Sequence, residues 1–378
     1  MLLPLRTDYA TLGCPCSILY RYLTVRGYLR GERAFQAMSY RFPLGDTPPR
    51  GHSPYGSRRC ANSATFPILK GVSLCRMVIA PGCFREAHWH ANADELTYCT
   101  RGQALVTVFS SGNIHDRFAV AAGEMFFVPS GSLHAIENTG PEEAEFVICF
   151  SHESPEDFGL SGSVGCMDPS VIGNTWGVAA DTLSGLTQSL TDIEFGKSDG
   201  AVEIPPSAAF ANRLKFPIEA RFPLLANDSG SAIVARRDTW PALRAQAMYS
   251  LRIHGVGMRE PHWHPETAEL GYVLQGRARM TVKSPGEAAE TYKLAPGDCY
   301  FIPRGYPHHI ENLDDGEVRF LIFFDTPDVQ DIGLTGCIPA FPARITGPTL
   351  GLSGAQLAKI PPLPSDLLLV RKVNPVAK

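Results

Sequence analysis

A chain of 378 residues with 44% apolar and 19% charged side chains is long enough for two globular domains and too apolar for disorder. Its net charge of −4 gives no footprint for nucleic acid or for an anionic membrane surface, so neither is an expected partner. An acidic substrate would have to be held by local positive charge, from a metal or a placed arginine.

Along residues 1–50, Arg6, Arg21, Arg26, Arg30, Arg33 and Arg41 interrupt every apolar stretch. No secretory core or membrane span forms there, and a cytoplasmic location is the expectation. This N-terminal extension reads equally as an Arg-rich targeting arm, an ordered wrap, or an extension with no role. Of ten cysteines, Cys75, Cys99, Cys149 and Cys299 lie in apolar, strand-like runs, and Cys14 and Cys16 form a lone CPC. No two CxxC pairs occur, which excludes a zinc ribbon, and most of the cysteines are expected as free thiols in a reducing compartment.

The body of the chain is an internal repeat. Arg85-Glu-Ala-His-Trp-His90 returns as Arg259-Glu-Pro-His-Trp-His264, 174 positions later. The same 174 links Glu95 to Glu269, Tyr98 to Tyr272, Gly102 to Gly276, Gly123 to Gly297, Pro129 to Pro303, His134 to His308, Asn138 to Asn312 and Leu160 to Leu334. With no net insertion over that span, one domain has been duplicated, and the chain divides into 1–50, 51–205 and 206–378. Residues 103–109, 124–128 and 144–150 are rich in β-branched and aromatic residues and separated by Ser111-Gly112, Ala122-Gly123 and Pro129-Ser-Gly131. The second copy repeats this at 278–282, 299–302 and 318–324. Many short strands with Gly/Pro punctuation predict an all-β antiparallel sandwich or barrel in each copy. Residues 163–230 connect the copies, with a short helix predicted over Asp181–Leu190.

Strand geometry places His88 and His90 on one face, about 6.5–7 Å apart along the chain, with Trp89 on the other. Glu95 follows His90 by an odd step and joins it only if the chain turns at Asn92-Ala-Asp94 (Pro265-Glu-Thr267 in the second copy). His134 arrives from a later strand. Two such sets, His88, His90, Glu95, His134 and His262, His264, Glu269, His308, account for six of eleven histidines. His52, His115, His152, His254 and His309 fall outside the pattern and read as ordinary residues. Three imidazoles and a carboxylate suit manganese, iron, nickel, copper or zinc better than calcium or magnesium. An octahedral ion would keep two positions open, enough for a bidentate substrate or for substrate plus dioxygen.

These residues fill the cupin signature from Gly82 to Asn138 and from Gly257 to Asn312. With the RExHWH form, Phe66-Pro67, Gly71-Val72-Ser73 and Arg279-Met-Thr-Val282, the chain resembles the bicupin oxalate decarboxylases. The resemblance implies two tandem jelly-roll barrels with short helical connections, each holding one Mn(II) on its three histidines and glutamate. Dioxygen would act as co-reactant, and Arg85 and Arg259 would pin a small carboxylate. The odd step from Arg85 to His88 needs a bulge or strand start near Pro81-Gly82. Homo-oligomers built through the barrels are usual in that family.

The resemblance thins at the lid, where the family's Ser-Glu-Asn stretch is missing. Ser151-His-Glu-Ser-Pro-Glu-Asp157 offers Glu153, Glu156 or Asp157 as proton donor, and in the second copy Ile322 stands at the family's glutamate, with no acid expected after it. A decarboxylase acting on oxalate or a similar small carboxylate is the leading expectation. An oxalate oxidase or other dioxygenase, which needs no lid acid, and a non-catalytic ligand-binding bicupin are the alternatives.

Overall fold

The computed structural model describes residues 39–286, 289–361 and 369–374. Arg6, Arg21, Arg26, Arg30, Arg33, Cys14 and Cys16 lie outside the described residues. The alternation in the sequence becomes strands with one face buried. Leu133–Asn138 alternates strictly, turning His134, Ile136 and Asn138 inward and Leu133, Ala135 and Glu137 toward solvent.

Each copy is a barrel of two facing antiparallel sheets. In the first, one sheet is ordered Asp157–Gly159, Cys83–His90, Leu133–Asn138, Gln103–Ser110, Ile114–Ala121. The other runs Lys215–Phe216, Met125–Val128, Glu95–Arg101, Ala144–Phe150, Ser73–Ile79, Gly56–Ala61, Arg50–Ser53. The second barrel repeats this plan, with Gly257–Trp263 and His308–Asn312 in one sheet and Glu269–Gln275 and Val318–Phe324 in the other. Leu96, Phe127, Leu270, Phe301 and Phe323, all nearly or fully buried, belong to one contiguous apolar cluster and seam the barrels together.

The outermost strands are exchanged. Arg41–Phe42, ahead of the first barrel, pairs with Cys299–Tyr300 of the second. Lys215–Phe216, 174 positions on, pairs with Met125–Phe126 of the first. Matched ion pairs pin both. Arg41 donates twice to Asp298, at 2.9 Å each, and Lys215 Nζ lies 2.9 Å from Glu124. The divisions expected at 50 and 205 therefore run through a reciprocal exchange.

Helix forms earlier in the connection than expected. Asp168 caps Pro169–Trp176 through the Ser170 N–H, with proline at the first helical position and a left-handed Gly177 at the end. Leu160–Gly165 precedes it. Of the predicted Asp181–Leu190 helix only the 3-10 turn Ala180–Leu183 exists, with no side-chain cap at Ala179. The cysteine expectation needs one amendment: Cys60 and Cys75 face each other on adjacent strands and form a disulfide. Cys83, Cys99, Cys149, Cys166 and Cys299 are thiols.

Candidate metal centres

The bulge that turns the arginine inward lies further along the strand than expected. Opposite His134 and Ile136 stand His88 and Arg85, so two residues of one strand span three of its partner between Arg85 and His88, not at Pro81-Gly82. The extra residue resets the alternation, and Arg85, His88 and His90 all become buried on the same face. The second barrel carries the same irregularity between Arg259 and His262. Trp89 points outward and stacks on Phe158 at 5.5 Å.

His88, His90 and His134 come from one sheet, and Glu95 from the facing one, after the turn at residues 91–94. Their donor atoms all lie within 4.8 Å of one another, as do those of His262, His264, Glu269 and His308, and all eight residues are buried. Backbone carbonyls fix the imidazoles. His88 Nδ1 is 2.7 Å from Glu86 O and His134 Nδ1 is 3.0 Å from Ser132 O, with His262–Glu260 and His308–Tyr306 matching at 2.7 and 3.0 Å. Occupied Nδ1 atoms leave Nε2 lone pairs for the centre of the cluster.

The electrostatics are those of a cation site. Burial would push the Glu95 carboxyl up, but His134 and His90 outweigh it and hold it well below the ordinary carboxylate range; Glu269 is depressed likewise. Burial lowers His88 and His262 well below the ordinary imidazole value, which keeps them neutral donors. Burial opposes protonation of His264 too, yet Asp331 and Glu269 raise it to about 9. His262 Nε2 is buried without a hydrogen-bond partner. A buried lone pair costs free energy unless something occupies it, and a divalent ion with mixed N/O ligands fits both donor sets.

Beside each cluster the arginine meets a carboxylate. Arg85 Nη2 donates to both oxygens of Asp157, at 2.9 and 2.8 Å, and Arg259 Nη2 donates to Asp331 at 3.0 Å. Asp331 Oδ1 also lies 2.6 Å from His264 Nδ1. An acid does follow Ile322 in the second copy, since the strand Ile332–Gly333 folds back beside His262 and brings Asp331 with it. Asp157, one of the three lid candidates, and Asp331 obey the 174 offset, the signal that could have singled out the first and found the second. Glu153 is turned elsewhere and accepts the Gly71 N–H at 2.8 Å. Glu156 is exposed, with its backbone N–H donating to Asn92. Of the lid carboxylates it is Asp157 that lines the cavity, with Arg58, Arg85, His88, His90 and Glu95. Glu86 is buried and accepts the Ser161 and Glu194 N–H groups. Glu260 does the same for Thr335 at 2.9 Å, so the glutamate of RExHWH anchors the following helix.

Two barrels, each with a buried His₃Glu cluster and an inward arginine, define a duplicated metal-binding β-barrel protein. The cupin family model matches residues 42–184 and 219–358, and the chain belongs to that family, as a bicupin enzyme of the oxalate decarboxylase type. Oxalate decarboxylase OxdC of Bacillus subtilis is 27% identical over 290 residues, 73% of each chain. A probable oxalate decarboxylase of Arthroderma benhamiae is 23% identical over 302 residues, 76% of this chain and 72% of its own. The wheat (Triticum aestivum) oxalate oxidase GF-3.8 matches a shorter stretch, 38% identical over 88 residues, 22% of this chain and 39% of its own. A solved B. subtilis oxalate decarboxylase superposes with a TM-score of 0.78 at 25% identity, covering 88% of this chain and 87% of that one. Another B. subtilis structure, reported for its Mn(II) centres, gives the same TM-score and identity.

Proposed function

We propose that the protein is a manganese enzyme that cleaves oxalate, or a similarly small carboxylate, to formate and carbon dioxide. The observation that carries this reading is the pairing, in each barrel, of a His₃Glu cluster with a buried arginine already bonded to a carboxylate. In the relatives named as oxalate decarboxylases the substrate is a carboxylate, and a B. subtilis structure is titled for Mn(II) centres.

Bound Mn(II), with dioxygen as co-reactant, would supply Lewis acidity and one-electron chemistry at the open positions. Arg85 presents a guanidinium fork that a planar carboxylate can meet in bidentate fashion, which orients the substrate. The barrel buries the ligand residues, and the Glu86 and Asn138 bonds hold the strands that carry them. The carbon–carbon bond of the substrate breaks, one half leaves as carbon dioxide, and the other takes a proton to become formate.

The cavity position of Asp157, tied to Arg58 and Arg85, leaves no free acid lining the first site among the described residues and favours a second reading, oxalate oxidase. There one dioxygen and two protons turn oxalate into two carbon dioxide and one hydrogen peroxide. Incubating the manganese-loaded protein with oxalate separates these: formate supports the first reading, peroxide the second. Neither product with two metals bound removes oxalate as the substrate. Arg85→Ala is expected to raise the oxalate KM at least tenfold with metal content unchanged. Barrel-mediated homo-oligomers complete the proposal, to be read by light scattering.

A further inference from the structure

The two barrels treat their internal carboxylate differently. Asp157 is bracketed by two arginines: Arg85 bonds both oxygens, and Arg58 Nη1 donates to Oδ2 at 2.8 Å. Arg58 also holds Glu194 at 3.0 Å, through its other terminal nitrogen. In the second barrel Ala232 stands at the position of Arg58, and Asp331 lies instead against His264. The first cavity is about 20 Å³, room for a water and too little for a dicarboxylate. Arg85 Nη1 donates to the Glu194 carbonyl at 3.2 Å and Nη2 to Asp157, so a substrate carboxylate takes Nη2 when Asp157 gives up its place.

Resting on the carboxylate-binding reading above, we infer that Asp157 is a placeholder for the substrate carboxylate on Arg85, and that Arg58 is the receiver that holds Asp157 once substrate displaces it. A displaced carboxylate left unpaired at this half-buried site would carry an uncompensated desolvation cost. Arg58 removes that cost because it already bonds one Asp157 oxygen, so the exchange orphans no charge. The Asp157–Gly159 strand pairs with His88–His90, which fixes the backbone of Asp157 while its side chain turns. In the second barrel Asp331 already lies 2.6 Å from His264, a member of the ligand cluster. Arg58 is thus a positioning residue of the first barrel, acting on substrate through Asp157.

The test uses the full-length, manganese-loaded chain, with acetate titrated by calorimetry and the oxalate KM measured beside it. Acetate has no second carboxylate to lose, so its binding is read without turnover. Arg58→Ala is expected to weaken acetate and raise the oxalate KM about tenfold, with Arg58→Lys recovering part of the loss. Asp157→Asn removes the competing charge and is expected to tighten acetate. In the Asp157→Asn background, Arg58→Ala should then have no further effect. Equal weakening in both backgrounds would make Arg58 a direct substrate contact and overturn the hand-off. No effect of Arg58→Ala in the wild-type background, or loss of manganese from both Arg58→Ala and Arg58→Lys, would overturn it as well. If wild-type and Asp157→Asn proteins with metal in place bind neither acetate nor oxalate, the carboxylate reading itself fails.

Discussion

The two barrels hold identical ligand sets on different supports. In the first, Thr97 donates to Glu95 Oε1 at 2.8 Å from two residues along the same strand. In the second, the corresponding oxygen of Glu269 receives the Tyr300 hydroxyl at 2.5 Å from the neighbouring strand. Gly271 stands where Thr97 would be, directly opposite Tyr300, and any Cβ there would meet the tyrosine ring at 2.1 Å. The first barrel has Phe126 opposite Thr97, with no hydroxyl to offer. Each copy has kept one hydroxyl on its glutamate by a coupled pair of residues. What the duplicates share is therefore the donor geometry and the requirement that every glutamate oxygen be satisfied, not the residue that satisfies it.

The largest effect expected of any single change is loss of the carboxylate. Glu95→Ala and Glu269→Ala should each empty their own centre and leave the other filled, so that metal analysis falls from about two ions per chain to about one. Emptying of both by either change would show that the centres are not independent. Exchange of the supports is the sharper test. Gly271→Thr alone should cost about 1–3 kcal/mol in a denaturant melt, because the new side chain collides with Tyr300. Combined with Tyr300→Phe it should recover part of that, since the threonine hydroxyl can then take over Glu269 as Thr97 holds Glu95. Additive losses would refute the compensation.

The smallest effect belongs to the seam. Glu219 accepts Tyr98 of the first barrel at 3.1 Å and Ser250 and Arg252 of the second at 2.6 and 2.7 Å. Burial pushes this carboxyl up, but Ser250 and Arg252 outweigh it and hold it below its ordinary value. In the unfolded chain it titrates at the ordinary carboxylate value. Its stabilisation is complete above that pH and is lost as pH falls through the lower folded value. Glu219→Gln should therefore cost about 1 kcal/mol near neutrality and progressively less in acid, followed by urea melts across pH.

The ligands were legible because two HxH pairs obey strand periodicity and recur at one fixed offset, which leaves few other readings. The barrel class followed from short β-branched runs between Gly and Pro turns. Asp157 was harder to read, because its role depends on a strand of three residues folding back beside His88, with no periodic signature of its own. The bulge after Arg85 was misplaced for a related reason: nothing in Arg-Glu-Ala-His specifies which residue is skipped, and the partner strand decides. Thr97 and Tyr300 escaped notice because attention to positions shared by the copies passes over those where they differ.

The exchanged strands carry a consequence for how such a chain came to be. Neither barrel is completed by its own lead-in, so a polypeptide holding one barrel would complete its sheet in the same way by trading with a twin. Fusing two such units end to end converts a partnership that depends on concentration into one guaranteed by the peptide backbone. Severing the chain near its middle would return two fragments that each carry the other's missing edge, so they should regain structure when mixed and fail when kept apart.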